Sequence, residues 1–276
     1  MVYIGDEVVA SAAIGLNGAV YIHGSYDSLR AVGSTGQRLW SYYTGGGISS
    51  PVIDKNGTVY VADQEGNLHS IDPATGQSNW SKTISTGEFI ASPAIDDELG
   101  VIYIADDEGW LYSVKLADGS QDWAVEVGDS PSSPVIGTDH TIYIGAGSRL
   151  VAVDHENHTV LWSYDEMIAY GVVSTPAVSN TGDIYVLATA GKKKDRGFSG
   201  EVDSLYAVSA AGVRRWATPL GEGYSDEYTS APKLDSEGNI YIGSGLAAWC
   251  IRGSGGPADS PWPMFQADAR NTGRAR

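Results

Sequence analysis

The sequence predicts an all-β protein, a β-propeller of four-stranded antiparallel blades, because two features recur in step along its 276 residues. The first is a tryptophan, repeated at intervals of 40, 43, 39 and 54 residues at Trp40, Trp80, Trp123, Trp162 and Trp216. The second is a box of small residues that ends in proline, found at Ser49–Pro51, Ala91–Pro93, Ser132–Pro134, Ser174–Pro176 and Ser230–Pro232, with a version lacking proline at Ala10–Ala12. Repeats of roughly 40 to 50 residues that each hold several strands are typical of propellers.

The second repeat unit shows the four strands of one blade most clearly. Its β-branched, aromatic and aliphatic residues predict strands at Ser49–Asp54, Thr58–Asp63, Asn67–Asp72 and Ser78–Thr83. Glycine in the turns between them supplies the positive φ that tight hairpins need. The innermost strand crowds against its counterparts, so small residues fit there, and a strand tolerates proline at its first position.

The recurring tryptophans predict a structural role for this residue type. Each is expected near the start of an outermost strand, with its large apolar ring against the next blade. Six tryptophans take this structural assignment, and they are Trp40, Trp80, Trp123, Trp162, Trp216 and Trp262.

Counting the boxes predicts six blades in a single propeller domain over residues 1–276. In the last unit Ser260–Phe265 stands where an outer strand is expected, so residues 260–276 are interpreted as a closing strand and tail. Met1–Gly5 also aligns with an outer-strand position, and a terminal strand that completes the last blade would remove an exposed sheet edge. A propeller of seven or eight blades with a truncated first blade is the alternative.

Composition narrows the possible partners. A net charge of −17 argues against nucleic acid and anionic lipid as partners and favours a cationic one.

No segment indicates a membrane span or a signal peptide. The longest apolar stretch, around Val8–Ile14, is too short for a membrane span. Asp6 and Glu7 interrupt any candidate signal peptide. The single cysteine, Cys250, is predicted to be a small buried residue, and a monomer is expected.

A resemblance to a known family adds to this interpretation. The segment Ile71–Trp80 resembles the tryptophan-docking motif of the pyrroloquinoline-quinone-type (quinoprotein-type) propeller repeat family, and Gly33–Trp40 repeats it. Trp262–Arg274 is similar to a segment that recurs beside such propellers. The resemblance covers nearly the whole chain and implies an extracytoplasmic location, periplasmic or secreted. It implies no single activity, because similar repeats serve quinoprotein dehydrogenases, an outer-membrane barrel-assembly scaffold and sensor domains.

The departures from the dehydrogenases bear on catalysis. Those enzymes are much longer, and they commonly carry an adjacent cysteine pair at the quinone and a calcium ion held by Glu, Asn and Asp. One cysteine cannot form that pair. We therefore expect no catalytic residue, no metal and no cofactor, and pyrroloquinoline quinone with calcium belongs only to the alternative of a dehydrogenase-like enzyme.

Loops on one face of the predicted propeller concentrate acidic and aromatic side chains. This face contains the connections between blades and the loops between second and third strands, where binding residues commonly lie. The candidates are Glu88, Phe89, Asp106, Asp107, Glu108, Asp165, Tyr170, Glu222, Tyr224, Asp226, Glu227 and Tyr228. The leading hypothesis is a non-catalytic scaffold or sensor module that binds a protein or small ligand through this face.

Two other interpretations of these loops are open. The acidic residues can simply solvate turns in an acidic protein. Alternatively the chain is a carbohydrate-binding propeller in which Tyr170, Tyr224 and Tyr228 stack on sugar rings.

Overall fold

The structure, a computed structural model, describes residues 7–8, 10–25, 28–167, 173–189, 203–221, 230–244, 247–268 and 272–275. All the regular secondary structure in these ranges is β-strand, in six antiparallel sheets. None of the described residues forms a helix long and apolar enough to cross a membrane. The chain divides into two compact units, Met1–Glu126 with Gln266–Arg276, and Val127–Phe265.

Each unit contains three sheets, and every sheet follows chain order from its innermost strand outward. In the first unit the sheets are β1 (Ala13–Ile14), β2 (Val20–His23), β3 (Ser28–Val32) and β4 (Arg38–Tyr43); β5 (Val52–Ile53), β6 (Val59–Ala62), β7 (Asn67–Ile71) and β8 (Ser78–Thr83); and β9 (Ala94–Asp96), β10 (Val101–Ala105), β11 (Trp110–Lys115) and β12 (Gln121–Glu126). In the second unit they are β13 (Val135–Ile136), β14 (Ile142–Ala146), β15 (Arg149–Asp154) and β16 (Thr159–Tyr164); β17 (Ala177–Val178), β18 (Asp183–Ala188), β19 (Asp203–Ser209) and β20 (Arg214–Gly221); and β21 (Lys233–Leu234), β22 (Asn239–Ser244) and β23 (Ala247–Arg252).

The boxes lie directly before the innermost strands, whereas the prediction begins the innermost strand of the second unit within its box, at Ser49. Pro51 precedes β5, and Pro176 precedes β17. Box hydroxyls also join neighbouring innermost strands. In the first unit the Ser50 amide donates to Ser92 Oγ at 2.9 Å, and in the second the Ser133 amide donates to Thr175 Oγ1 at 3.2 Å. The boxes therefore supply hydrogen bonds between sheets as well as small side chains.

A row of three residues crosses five of the sheets from the second strand to the fourth. It consists of a tyrosine, a small residue and a tryptophan, and we call it the tyrosine–tryptophan row. The five rows are Tyr21–Ala31–Trp40, Tyr60–Ser70–Trp80, Tyr103–Ser113–Trp123, Tyr143–Ala152–Trp162 and Tyr185–Ala207–Trp216. Their ring centroids are 5.6 to 5.9 Å apart. Cross-strand neighbours share a face, and the small middle residue lets the two rings meet over it.

Three of these tryptophans also contact the next sheet in the chain. The indole N–H of Trp40 donates to Pro73 O at 3.0 Å, and that of Trp80 donates to Leu116 O at 3.0 Å. In the second unit Trp162 donates to Ala210 O at 2.8 Å. Each acceptor lies in the turn after a third strand, so one type of contact holds successive sheets together.

The carboxy-terminal segment differs from the prediction. The sequence pattern places Ser260–Phe265 as the outer strand of the last blade, but this segment contacts innermost strands. Ile136 donates its amide to Trp262 O at 2.7 Å, and Ala177 bridges Met264. In the first unit Ile53 bridges Arg274. Pro261 and Pro263 have no N–H to donate, which disfavours a laddered edge strand there.

Trp262 is 1% exposed, and its structural assignment stays a prediction. Met1–Gly5, the other predicted closing strand, lies outside the described residues. The assignment of the whole chain to a single domain stays a prediction.

Cys250 is also placed differently from the prediction, because it is exposed. It lies on β23, and the described residues of that sheet comprise three strands where the other sheets have four. The side chain that covers the equivalent position elsewhere is a tryptophan of the fourth strand.

Candidate functional site

Three loops of the first unit are bonded to one another at one end of its strands. They are residues 63–66 between β6 and β7, 84–92 between β8 and β9, and 106–109 between β10 and β11. Ser85 donates its amide to Gly66 O at 3.2 Å. Glu88 donates its amide to Asp107 Oδ1 at 2.8 Å, and the Asp107 amide returns a bond to Glu88 O at 3.0 Å. The loops therefore form one connected layer of backbone.

Four exposed carboxylates lie on this layer, and we call them the acidic loop cluster. They are Glu65, Glu88, Asp107 and Glu108. Gly87 permits the close approach of Asp107 and Glu108 to its own loop, because a Cβ at this position would lie 2.8 Å from Asp107 Oδ1 and 2.9 Å from Glu108 Cγ. Within the described part of the chain, these four side chains form no salt bridge. The cluster is therefore available to cations in solution.

Asp106 and Phe89 support the cluster from beneath, which corrects their prediction as face residues. Both are fully buried. Asp106 accepts hydrogen bonds from Tyr112 Oη at 2.7 Å and Ser85 Oγ at 2.5 Å, and Phe89 packs edge-on against Tyr112 at 6.2 Å. Burial, together with the hydrogen bond that Tyr112 donates to the Asp106 carboxylate, raises the pKa of Tyr112 to about 12. A buried aspartate needs such partners, and in return it fixes the hairpin.

Asp63 supports the neighbouring hairpin in a similar way and is 1% exposed. It accepts bonds from the amide of Asn67 at 2.8 Å, from Asn67 Nδ2 at 2.9 Å and from His69 Nε2 at 3.1 Å. Burial alone would raise the pKa of Asp63, but the bonds from His69 and Asn67 outweigh it and hold that pKa below its ordinary value. Asp63 is therefore ionised under neutral conditions and tied to its hairpin.

The remaining predicted face residues divide between the second unit and the undescribed segments. Asp165 is exposed directly after β16. Six candidates lie outside the described residues, and they are Tyr170, Glu222, Tyr224, Asp226, Glu227 and Tyr228. The structure thus brings Glu88, Asp107 and Glu108 together and places Glu65 on the same loop layer, while the tyrosine-rich part of the face stays a prediction.

The sequence analysis missed a cavity of about 420 Å³ at the opposite end of the strands of the first unit. Its lining includes Asp54, Lys55, Tyr60, Trp80 and Asp97. Lys55 donates its amide to Asp97 Oδ2 at 2.9 Å, and burial and the nearby Asp54 raise the pKa of Asp97. The turns β5–β6, β9–β10 and β11–β12 supply much of this lining. Each turn taken alone is typical of a structural hairpin, and nothing in its local sequence indicates that the three meet.

Comparison with known proteins identifies the family. The family model described as outer membrane protein assembly factor BamB matches residues 23–126 and 93–256, which together cover most of the chain. The chain belongs to this family. The match confirms the resemblance drawn from the tryptophan-containing segments. No curated protein sequence matches the chain.

Solved structures support the same fold. BamB from Moraxella catarrhalis matches with a TM-score of 0.64 at 15% identity, over 91% of this chain and 75% of that one. A protein of unknown function from Bacteroides caccae matches with 0.54 at 14%, over 79% and 83%. The computationally designed Ika8 protein matches with 0.68 at 13%, over 88% and 70%.

At these identities the structural matches show the fold alone. With the six antiparallel sheets, they confirm the predicted all-β propeller with four-stranded blades. Six sheets are described, as the box count predicts, and the choice between six blades and the alternative of seven or eight stays open.

Proposed function

We propose that this chain is a non-catalytic propeller scaffold that binds a protein partner, and that the acidic loop cluster contacts a cationic segment of that partner. The family match over residues 23–256 carries the first part, because the family model bears the name of an assembly factor. That name points to a protein that acts on other proteins. The words 'outer membrane' in that name also support an extracytoplasmic location, which we include in the proposal.

The geometry of the loops supports the second part. Four exposed carboxylates on a layer fixed by backbone bonds present negative charge without first having to be ordered, which lowers the entropic cost of binding. The net charge of −17 adds long-range attraction for a cationic partner.

Catalysis and cofactors are not part of this proposal. Cys250 is the chain's single cysteine, so the adjacent cysteine pair of the quinoprotein dehydrogenases is lacking. Among the described residues, no group of three or more His, Cys, Asp or Glu side chains is placed to hold a metal ion. These residues do not fit a calcium–quinone site. We also propose a monomer that acts through protein contacts.

The test compares two triple variants with the same change in charge. Glu65→Lys, Glu88→Lys and Glu108→Lys reverse three exposed members of the cluster. Glu98→Lys, Glu156→Lys and Glu237→Lys alter three exposed glutamates in hairpin turns at the other ends of their sheets. Asp107 is left unchanged because it accepts the Glu88 amide.

Partners are captured from an envelope extract on the wild-type chain, and their affinity for each variant is then measured with purified components. The cluster variant is expected to bind at least about tenfold more weakly, and added salt should reduce the difference. The control variant should bind as the wild type does. Equal affinity of the two variants would remove the cluster from the proposal, and failure to retain any protein partner would remove the scaffold function itself.

The carbohydrate-binding alternative stays a prediction, because its three tyrosines lie outside the described residues.

A further inference from the structure

The sixth sheet lacks a fourth strand among the residues that the structure describes. Within the described part of the chain it consists of β21, β22 and β23, and β23 occupies the place that a fully bonded third strand has elsewhere. The third strands β7 and β19 are almost entirely buried, whereas β23 alternates between exposed and half-buried residues. A bare strand edge carries backbone groups ready to pair with another chain.

The sixth sheet also holds two thirds of a tyrosine–tryptophan row. Tyr241 on β22 faces Cys250 on β23, in the register that Tyr60 and Ser70 have in the second sheet. We call this pair the open row. In the five complete rows the tyrosine is at most 3% exposed, because the tryptophan of the fourth strand covers it. Tyr241 is 46% exposed, and Cys250 is exposed beside it.

The open row is already arranged to receive a ring. Tyr241 Oη donates to Asp235 Oδ2 at 3.1 Å, as Tyr60 Oη donates to Asp54 Oδ2 at 3.3 Å. The phenol is thus held by the same type of bond in both sheets. On the opposite face of β23, Trp249 and Ile251 pack against the buried cluster that contains Leu234 and Ile240. The sheet is therefore anchored on one side and uncovered on the other.

We propose that the outer edge of β23 binds an extended segment of a partner polypeptide as a fourth strand, with an aromatic side chain, preferably tryptophan, opposite Cys250 and over Tyr241. Strand addition of this kind takes its affinity from main-chain hydrogen bonds and its specificity from pockets for alternate side chains. The five complete rows show which side chain this pocket fits: an indole beside a tyrosine and over a small residue.

Other occupants fit less well. Met1–Gly5, which the sequence pattern also aligns with an outer-strand position, contains no tryptophan and so cannot supply the indole of a row. A second copy paired through its own β23 would bring small residues such as Ala248 and Cys250 to this face and leave Tyr241 uncovered, because Trp249 faces the opposite way. The net charge of −17 also opposes self-association. Trp262 of the same chain is buried elsewhere, and its carbonyl accepts the Ile136 amide.

The single thiol makes the test direct, because Cys250 alone reports on the open row. The probe is a labelled peptide of residues 35–44 of this chain, which contains Trp40 and the sequence of β4. We measure the rate of Cys250 alkylation by N-ethylmaleimide in the full chain and the fluorescence anisotropy of the peptide. The peptide is expected to slow alkylation and to bind about tenfold more tightly than its Trp40→Ala version.

A protein variant separates ring contact from edge pairing. Tyr241→Ala should still bind the peptide but should lose the preference for tryptophan over alanine at the third strand position of the peptide. Unchanged melting of this variant shows that the fold is retained. Equal binding of the two peptides by the wild-type chain would overturn the ring assignment, and no binding of either would overturn the docking site.

Two further results would also overturn the proposal. A thiol that resists alkylation in the monomer before peptide is added would show that the chain fills its own edge. Protection that grows with protein concentration, without peptide, would assign the edge to a second copy. Both outcomes are independent of the acidic loop cluster and its charge-reversal test.

Discussion

The second and sixth sheets carry a tyrosine and an aspartate at equivalent positions, but the two tyrosines have different surroundings. Tyr60 and Tyr241 both donate their hydroxyl to an aspartate six residues earlier, and both face a small residue on the third strand. Tyr60 is covered by Trp80 and is 2% exposed, whereas Tyr241 is 46% exposed. The tyrosine is therefore positioned by its own sheet and buried by the fourth strand. Positioning and burial are separate contributions, and this pair allows each to be measured.

The largest expected difference comes from removing the two tyrosines. Tyr60→Ala should lower the free energy of unfolding by about 3 to 5 kcal/mol, because it deletes a buried ring under Trp80 and leaves a cavity. Tyr241→Ala loses the same type of hydrogen bond but less buried area, because Tyr241 is already 46% exposed, so it should cost clearly less than Tyr60→Ala. Urea unfolding of the two variants measures both values. Equal losses would show that the hydroxyl bond, and not the tryptophan, carries the stability of the row.

A second comparison tests the contact between Trp80 and the following sheet. Gly119 has φ +71° and lies under the indole, where a Cβ would be 2.6 Å from Trp80 Cε3. Gly100 has φ +70°, and a Cβ there would meet no other atom within 4 Å. Gly100→Ala should cost only the strain of left-handed backbone, about 1 kcal/mol, whereas Gly119→Ala must also displace the ring and should cost about 2 to 3 kcal/mol.

Thermal and urea unfolding of both glycine variants give the difference directly. If Gly119→Ala costs no more than Gly100→Ala, the indole moves freely and does not hold the two sheets together.

The smallest expected effect separates two hairpins of similar sequence. Asp63 and Asp235 each accept the amide and Nδ2 of the asparagine four residues later. Both pKa values are lowered. For Asp63, burial is the largest single influence and raises the pKa, but the hydrogen bonds from His69 and Asn67 together outweigh it. For Asp235, the hydrogen bonds from Asn239 lower the pKa. Of the two, Asp63 is the buried one. Asp63→Asn should cost about 1 to 3 kcal/mol at neutral pH, and Asp235→Asn should cost less.

The pH dependence of this difference has a definite sign. A carboxyl whose pKa is lower in the folded state contributes stability above its unfolded-state pKa and loses that stability as the pH falls through the folded-state value. The gap between wild type and Asp63→Asn should therefore be full at neutral pH and should begin to close below about pH 4. Urea unfolding from pH 7 to pH 3 measures it. A gap as large at pH 3 as at pH 7 would assign the loss to packing instead of charge.

Much of the fold could be predicted from the sequence, because its signals are local and repeated. The strand Ser78–Thr83 agrees with the structure at both ends, and the boxes correctly mark where β5 and β17 begin, because both signals depend on neighbouring residues. Cys250 could not be placed, because its exposure depends on what covers the next position across the sheet. Ser260–Phe265 could not be placed either, since its partners β13 and β17 are distant in sequence.

The candidate site was less predictable than the fold for the same reason. Glu88, Asp107 and Glu108 could be identified because charge on a loop is visible in the sequence. The same pattern wrongly places Phe89 and Asp106 at the surface, because their burial depends on Tyr112 and Ser85 in other segments. Loop residues acquire their surroundings only through contacts between distant parts of a chain.

The indole-to-turn bond has an evolutionary consequence. Trp40, Trp80 and Trp162 each bond to the turn of the sheet that follows. Gain or loss of one whole sheet-forming repeat therefore requires no new contacts elsewhere, since each repeat carries both the tryptophan for the following sheet and the turn that accepts the preceding tryptophan. Stability in such an arrangement is close to a sum over nearest neighbours.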